Sequence, residues 1–205
     1  MRFMLVLCAL WVMSPIASAN DALVDTKVAL EILKSARDSF YDDIARFNRE
    51  ELTEDELIDR IAAEFSPLID ERLIAARVMG RYARQATEEE RQAFVSKLES
   101  SLLDLYSRGL AGYGGQRLLL PENAILIKPG KMRIEAQLES DTREPLPIQF
   151  SLGYSESKGW LVENVIIAGI NLGLVLRNQF ADLVQSTGSI SGAIDAWTFE
   201  SVSAE

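Results

Sequence analysis

Histidine is absent from all 205 residues, and cysteine occurs once, at Cys8. The first absence removes the usual general base, the commonest metal ligand and the Ser-His and Cys-His dyads together. The second leaves everything after residue 8 without disulfides, thiolate metal sites or a cysteine nucleophile. No glycine-rich loop opens a helix, because Gly109, Gly112, Gly114 and Gly115 follow a helical pattern and read as its end. Basic charge is scarce, with 21 Lys and Arg against 31 Asp and Glu for a net charge of −10. Nucleic acid and anionic lipid surfaces repel such a chain unless a local patch overrides the average. The paired carboxylates Asp42-Asp43 and Glu88 to Glu90 fall on helix surfaces or first turns, where solvated charge is expected. No catalytic constellation, metal site or cofactor site is visible in the sequence.

The apolar content of 48% argues for a folded domain with a substantial core. The first stretch stands apart. Arg2, the apolar run Phe3 to Met13 and the small-x-small triplet Ala17-Ser18-Ala19 make up a signal peptide, predicting residues 1–19 cleaved and a single domain over 20–205. Cys8 lies inside this segment with Leu7 before it, which does not match a lipoprotein signal. Without Arg2 the mature chain has 20 basic against 31 acidic residues, a net charge of −11. No later apolar run approaches the roughly twenty residues that a membrane span needs.

The pattern then reads as helices followed by strands and a closing helix. Asp21 to Phe47 carries one apolar face (Val24, Val28, Leu33, Ala36, Phe40, Ile44, Phe47) at helical spacing. Thr53 with Glu56 and Thr87 with Glu90 are capping boxes that open further helices. Ser66-Pro67 suggests a restart, with serine as N-cap and proline in the first turn. From about residue 124 the period becomes two: Ala124 to Lys128, Met132 to Glu139, Ile148 to Tyr154 and Trp160 to Ile167 read as four antiparallel strands joined by short turns. The last of these is nearly continuous in apolar character, as a strand buried on both faces would be. It passes through Gly169-Ile170-Asn171 into a helix ending near Gly188. The predicted class is α+β, about four strands with about five or more helices on one face.

Two features admit a structural and a functional reading alike. Large aliphatic side chains, including Leu118 to Leu120, are in excess, but a core and a lipid cavity are built from the same residues and periodicity does not separate them. Arg72, Arg77, Arg81 and Arg84 cluster on and after the third helix of an acidic protein. They either complement the helix dipole or form a docking patch.

The run Val78-Met79-Gly80-Arg81-Tyr82, then Ala86-Thr87, Arg91-Gln92, Phe94, Leu98, Tyr106, Leu110, Tyr113 and Gly115-Gln116, resembles the central signature of the MlaC proteins of the toluene-tolerance family. Trp160, Asn164-Val165-Ile166, Gly169 to Leu172, Arg177, Gln179-Phe180, Gly188 and Ile190 extend the likeness across the mature chain. Asn171 stands where the family commonly has serine, Asn164 where it often has aspartate, and Ala83 where it commonly has an aromatic residue. The resemblance implies a curved antiparallel sheet wrapped by helices, with phospholipid tails held in a cavity between them as cargo, the headgroup left in solvent, and no cofactor. It further implies a monomeric periplasmic carrier that maintains outer-membrane asymmetry. Its partners would be an outer-membrane lipoprotein–porin complex and an inner-membrane ABC transporter with a lipid-binding ring. On this basis Val78, Tyr82, Phe94, Leu98, Leu102 and Tyr106 are expected to face Ile134, Phe150, Leu152, Val165 and Ile167 across the lipid. Arg72, Arg77, Arg81 and Arg84 are the expected docking residues. A small enzyme on a related curved sheet and a periplasmic chaperone or lipoprotein carrier are the alternatives.

Overall fold

The structure is a computed structural model that describes residues 19–111 and 113–199, leaving the side chains of 19–25, 106 and 108–111 outside the description. The signal segment, Gly112 and the tail from residue 200 therefore lie outside the described residues. Helix α1 (Ala19–Asn48) is followed by α2 (Glu54–Phe65), α3 (Glu71–Met79), α4 (Glu88–Ala111), α5 (Leu172–Thr187) and α6 (Ile190–Ala196). One antiparallel sheet holds β1 (Arg117–Leu119), β2 (Ile125–Lys128), β3 (Lys131–Ser140), β4 (Arg143–Ser155), β5 (Gly159–Ile167) and β6 (Ile170–Asn171). The α+β class and the curved antiparallel sheet stand as expected; the sheet is unclosed and has two more strands than the alternation revealed.

Helix starts follow local side-chain chemistry. The Thr53 amide donates to Glu56 at 2.8 Å while Glu56 N–H donates back to Thr53 Oγ1 at 3.3 Å, and Thr87 with Glu90 repeats the exchange at 2.9 and 3.1 Å. The third helix differs from its expected start. Ser66–Leu68 forms only a short 3₁₀ turn, Ile69 is extended, and Asp70 caps α3 by accepting from Leu73 N–H at 3.2 Å. Proline fixed one turn there, but the β-branched Ile69 interrupts it before a longer helix can grow.

The sheet order is β1-β3-β4-β5-β6, with β2 paired to β3 alongside β1. Leu118, Leu138 and Leu146 lie opposite one another in register, as do Ala136, Ile148 and Ile167, and Ile134, Phe150 and Val165. Cross-strand partners share a face, so these rows line one concave side. The prolines of β4 are tolerated because the β5 ladder ends opposite Ile148: Pro147 only accepts on that side, its carbonyl taking a bond from Ala168 N–H at 2.9 Å, and Pro145 lies beyond the end of β5. Strand β5 itself is not a central strand: its only outer neighbour is the two-residue β6, and Val162 to Ile167 are half-buried. At the β5–β6 turn Ala168 and Gly169 both have positive φ, 50° and 84°, the requirement of a two-residue type I′ hairpin.

Packing separates two main layers. Ala29, Leu30, Leu33 and Ala36 of α1 lie on Met132, Ile134, Leu152 and Trp160 of the sheet. Helices α3 to α6 instead pack on one another, with Val78, Phe94, Leu98, Leu176, Phe180 and Trp197 at their centre. Phe94 stacks edge-on to Trp197 at 5.1 Å and lies 4.8 Å from Phe180. A smaller cluster of Ile44, Leu57 and Ile61 joins α1 to α2.

Candidate functional site

The helix and the sheet do not close along their whole length. Where α1 passes the leucine row Leu118, Leu138 and Leu146, a cavity of about 570 Å³ remains. Leu33, Ala36 and Phe40 form its helical wall; Ile148 and Phe150 continue the sheet wall, and Phe65 and Tyr113 complete it. The helical residues follow 3.6-residue periodicity and the strand residues alternate by two, so each element presents its apolar side to the space. Ala36 contributes little bulk to a wall otherwise built of large side chains.

Polar side chains of Arg37, Gln116, Ser140, Thr142, Arg143 and Glu144 also line the cavity, and the register sets Ser140 and Arg143 beyond Leu138 and Leu146, at the β3–β4 hairpin end. Arg37 bonds Asp38 at 2.7 Å. Among the described residues Arg143 and Glu144 form no ion pair. Tyr41 accepts a hydrogen bond from Leu118 N–H and so ties α1 to β1 beside the opening. Tyr113 packs edge-on against Phe40 at 5.7 Å. Burial, and then neighbouring Tyr41, pushes its phenol above the ordinary value and keeps it neutral.

Of the residues expected to line a lipid site, the structure brings Phe150 to this cavity. Val78, Phe94 and Leu98 lie instead in the closed helical core, with Tyr82 packed against it. The physical reason is that α3 and α4 bury their apolar faces on α5 and α6, while α1 covers the sheet. Ile134 and Leu152 are fully buried beneath α1. Val165 and Ile167 share the concave face by register but do not line the cavity. Leu102 is half-buried on α4, and the Tyr106 side chain lies outside the described residues. The missed wall residues were visible as the stripe Leu33, Ala36 and Phe40, and Leu146 follows from extending the β4 alternation by one step.

The four arginines are exposed but have different surroundings. Arg77 reaches across to β5, donating to the Glu163 main-chain oxygen at 3.1 Å and to its carboxylate at 2.9 Å. Arg81 bonds Tyr82 Oη at 2.7 Å and lies 4.9 Å from that ring's centre. Arg72 and Arg84 make no ion pair among the described residues. Among those residues no helix is long and apolar enough to cross a membrane, and no group of three or more His, Cys, Asp or Glu could hold a metal ion.

Comparisons with known proteins agree with this architecture. The chain is 28% identical over 193 residues to the toluene tolerance protein ttg2D of Pseudomonas putida, covering 89% of this chain and 77% of that protein. Its fold matches a phospholipid-binding protein from Ralstonia solanacearum, solved in complex with a phospholipid, with a TM-score of 0.70 and 21% identity. That match spans 82% of this chain and 93% of the other. The family model described as MlaC protein matches residues 36–198, and the chain belongs to the MlaC family.

Proposed function

We propose that this protein is a periplasmic phospholipid carrier, exported through its signal peptide and active as a monomeric domain over residues 20–205. The observation that carries this reading is the apolar cavity of about 570 Å³ between α1 and the concave sheet face, polar toward the β3–β4 hairpin. Its volume falls within the roughly 300–1,000 Å³ of small-molecule sites. The similarity to a structure holding a phospholipid supports the choice of cargo. Two acyl chains of roughly thirty methylenes lose about 24 kcal/mol in water, at about 0.8 kcal/mol per methylene. A carrier must match the bilayer nearly in full, and an apolar wall of leucine, isoleucine and phenylalanine suits that task. Pocket and bilayer are then nearly isoenergetic, so the direction of transfer would come from the carrier's partners.

Those partners are an outer-membrane lipoprotein–porin complex and an inner-membrane ABC transporter with a lipid-binding ring, between which the carrier serves outer-membrane asymmetry. Arg72, Arg81 and Arg84 offer cations to acidic docking surfaces. The test is transfer of labelled phospholipid from donor to acceptor vesicles, with and without the chain. Faster transfer in the presence of the chain is expected, and a rate unchanged by added protein would reject the carrier function.

A further inference from the structure

We propose that the cavity mouth selects its cargo's headgroup, with Arg143 taking the lipid phosphate and Glu144 the ammonium of a zwitterionic aminophospholipid. The inference rests on the carrier function proposed above. Its basis is a break in strand register. Leu138 pairs with Leu146, so regular alternation would set Ser140 opposite Glu144; instead Ser140 pairs with Arg143. The extra residue on β4 is a bulge, a device that re-aims a side chain at a sheet edge. It explains how two consecutive residues, which a regular strand would send to opposite faces, both line the same cavity.

Both charges are available to a ligand. Arg37 at the same opening is engaged by Asp38, and nearby Arg117 by Glu139, whereas Arg143 and Glu144 form no ion pair among the described residues. A lipid lying tails-first against Leu118, Leu138 and Leu146 leaves its phosphate at this end. The guanidinium fork matches phosphate oxygens bidentately, and a carboxylate beside it suits the ammonium that follows the phosphate in an aminophospholipid. A headgroup with phosphate and no cation leaves Glu144 facing like charge.

The full chain is incubated with vesicles of equimolar phosphatidylethanolamine and phosphatidylglycerol bearing identical acyl chains, then re-isolated, and its lipids are extracted and counted per chain. The expected result at low salt is enrichment of phosphatidylethanolamine by roughly two- to fivefold, the range exposed ion pairs allow. Glu144→Gln brings the ratio toward one, and Glu144→Lys reverses it. With diacylglycerol of the same chains added to the vesicles, Arg143→Gln lowers uptake of both phospholipids relative to it. Phospholipid bound at the vesicle ratio by wild type and variants alike overturns headgroup selection and leaves the carrier function standing. Wild-type protein that takes up no lipid overturns both.

Discussion

Glu163 on β5 receives Arg77 from α3 at 2.9 Å and Lys131 from β3 at 2.6 Å, so one carboxylate joins the helical layer to two strands of the sheet. Gly153 lies between those strands, where a Cβ would come within 2.4 Å of the Glu163 carboxylate. Arg77 is therefore a structural residue as well as a surface cation. Arg77→Glu places two carboxylates together and should lower Tm by a few degrees, reflecting about 1 kcal/mol for a half-exposed pair. Arg84→Glu should leave Tm unchanged while weakening association with an acidic partner, most at low salt. Thermal melting of the two variants side by side separates these roles; equal melting shifts would contradict the assignment.

The same carboxylate sets an acid limit. Burial opposes ionisation of Glu163, but the bonds from Lys131 and Arg77 outweigh it and hold the carboxyl below its usual value of 4.5. A depressed folded pKa contributes stability that is present above the unfolded pKa and lost as pH falls through the folded one. Glu99 works in the opposite sense. Burial, and then the Glu71 carboxyl, raise its pKa, so its contribution is favourable in acid and lost as pH rises through the folded value. Glu99→Gln should raise Tm slightly at pH 7 and make no difference once pH is well below 4.5, whereas Glu163→Gln should lower Tm at pH 7. Melting curves from pH 3 to 8 distinguish the two signs.

In the closed helical layer, enlargement and truncation should both destabilise. Leu98 is fully buried among Phe94, Phe180 and Trp197, and Leu98→Trp should cost about 1 to 3 kcal/mol by overpacking. Phe94→Ala should cost about 3 to 5 kcal/mol through the void it leaves. Denaturant unfolding gives both values, and a Leu98→Trp protein as stable as wild type would place Leu98 on a cavity.

Much of this architecture was legible because each signal was local. Both capping boxes and the Gly188 end of α5 came from neighbouring side chains, and β3 and β4 from strict alternation. What escaped was pairing over distance. A helical stripe shows that α4 buries one face, but not that α6 rather than the sheet covers it. Strand β1 has three residues and β6 two, too short for a period to register. Asn164 and Asn171, both departures from the family pattern, proved to be partners: the Asn164 amide donates to Asn171 Oδ1 at 3.0 Å, and Asn171 caps α5. Changing one without the other leaves an unmatched amide, a relation that no reading along the chain displays.

Ala168 offers a gain in stability. Its φ of 50° costs an L-residue about 1 kcal/mol or more, while glycine adopts it freely. Ala168→Gly should stabilise the β5–β6 turn by about 0.5 to 1 kcal/mol net of glycine's greater unfolded entropy. Urea unfolding should show a higher midpoint with unchanged slope, and a lower midpoint would contradict the turn assignment.

The central claim is that the space between α1 and the leucine row holds lipid. The most direct measurement is phospholipid phosphorus per chain in protein purified without detergent, compared for wild type, Leu146→Trp and Leu138→Trp. The account predicts about one phospholipid per wild-type chain, with far less in either variant while circular dichroism stays native, because the new ring occupies cavity and not core. Wild-type protein without phospholipid, or variants that carry as much as wild type, would contradict it.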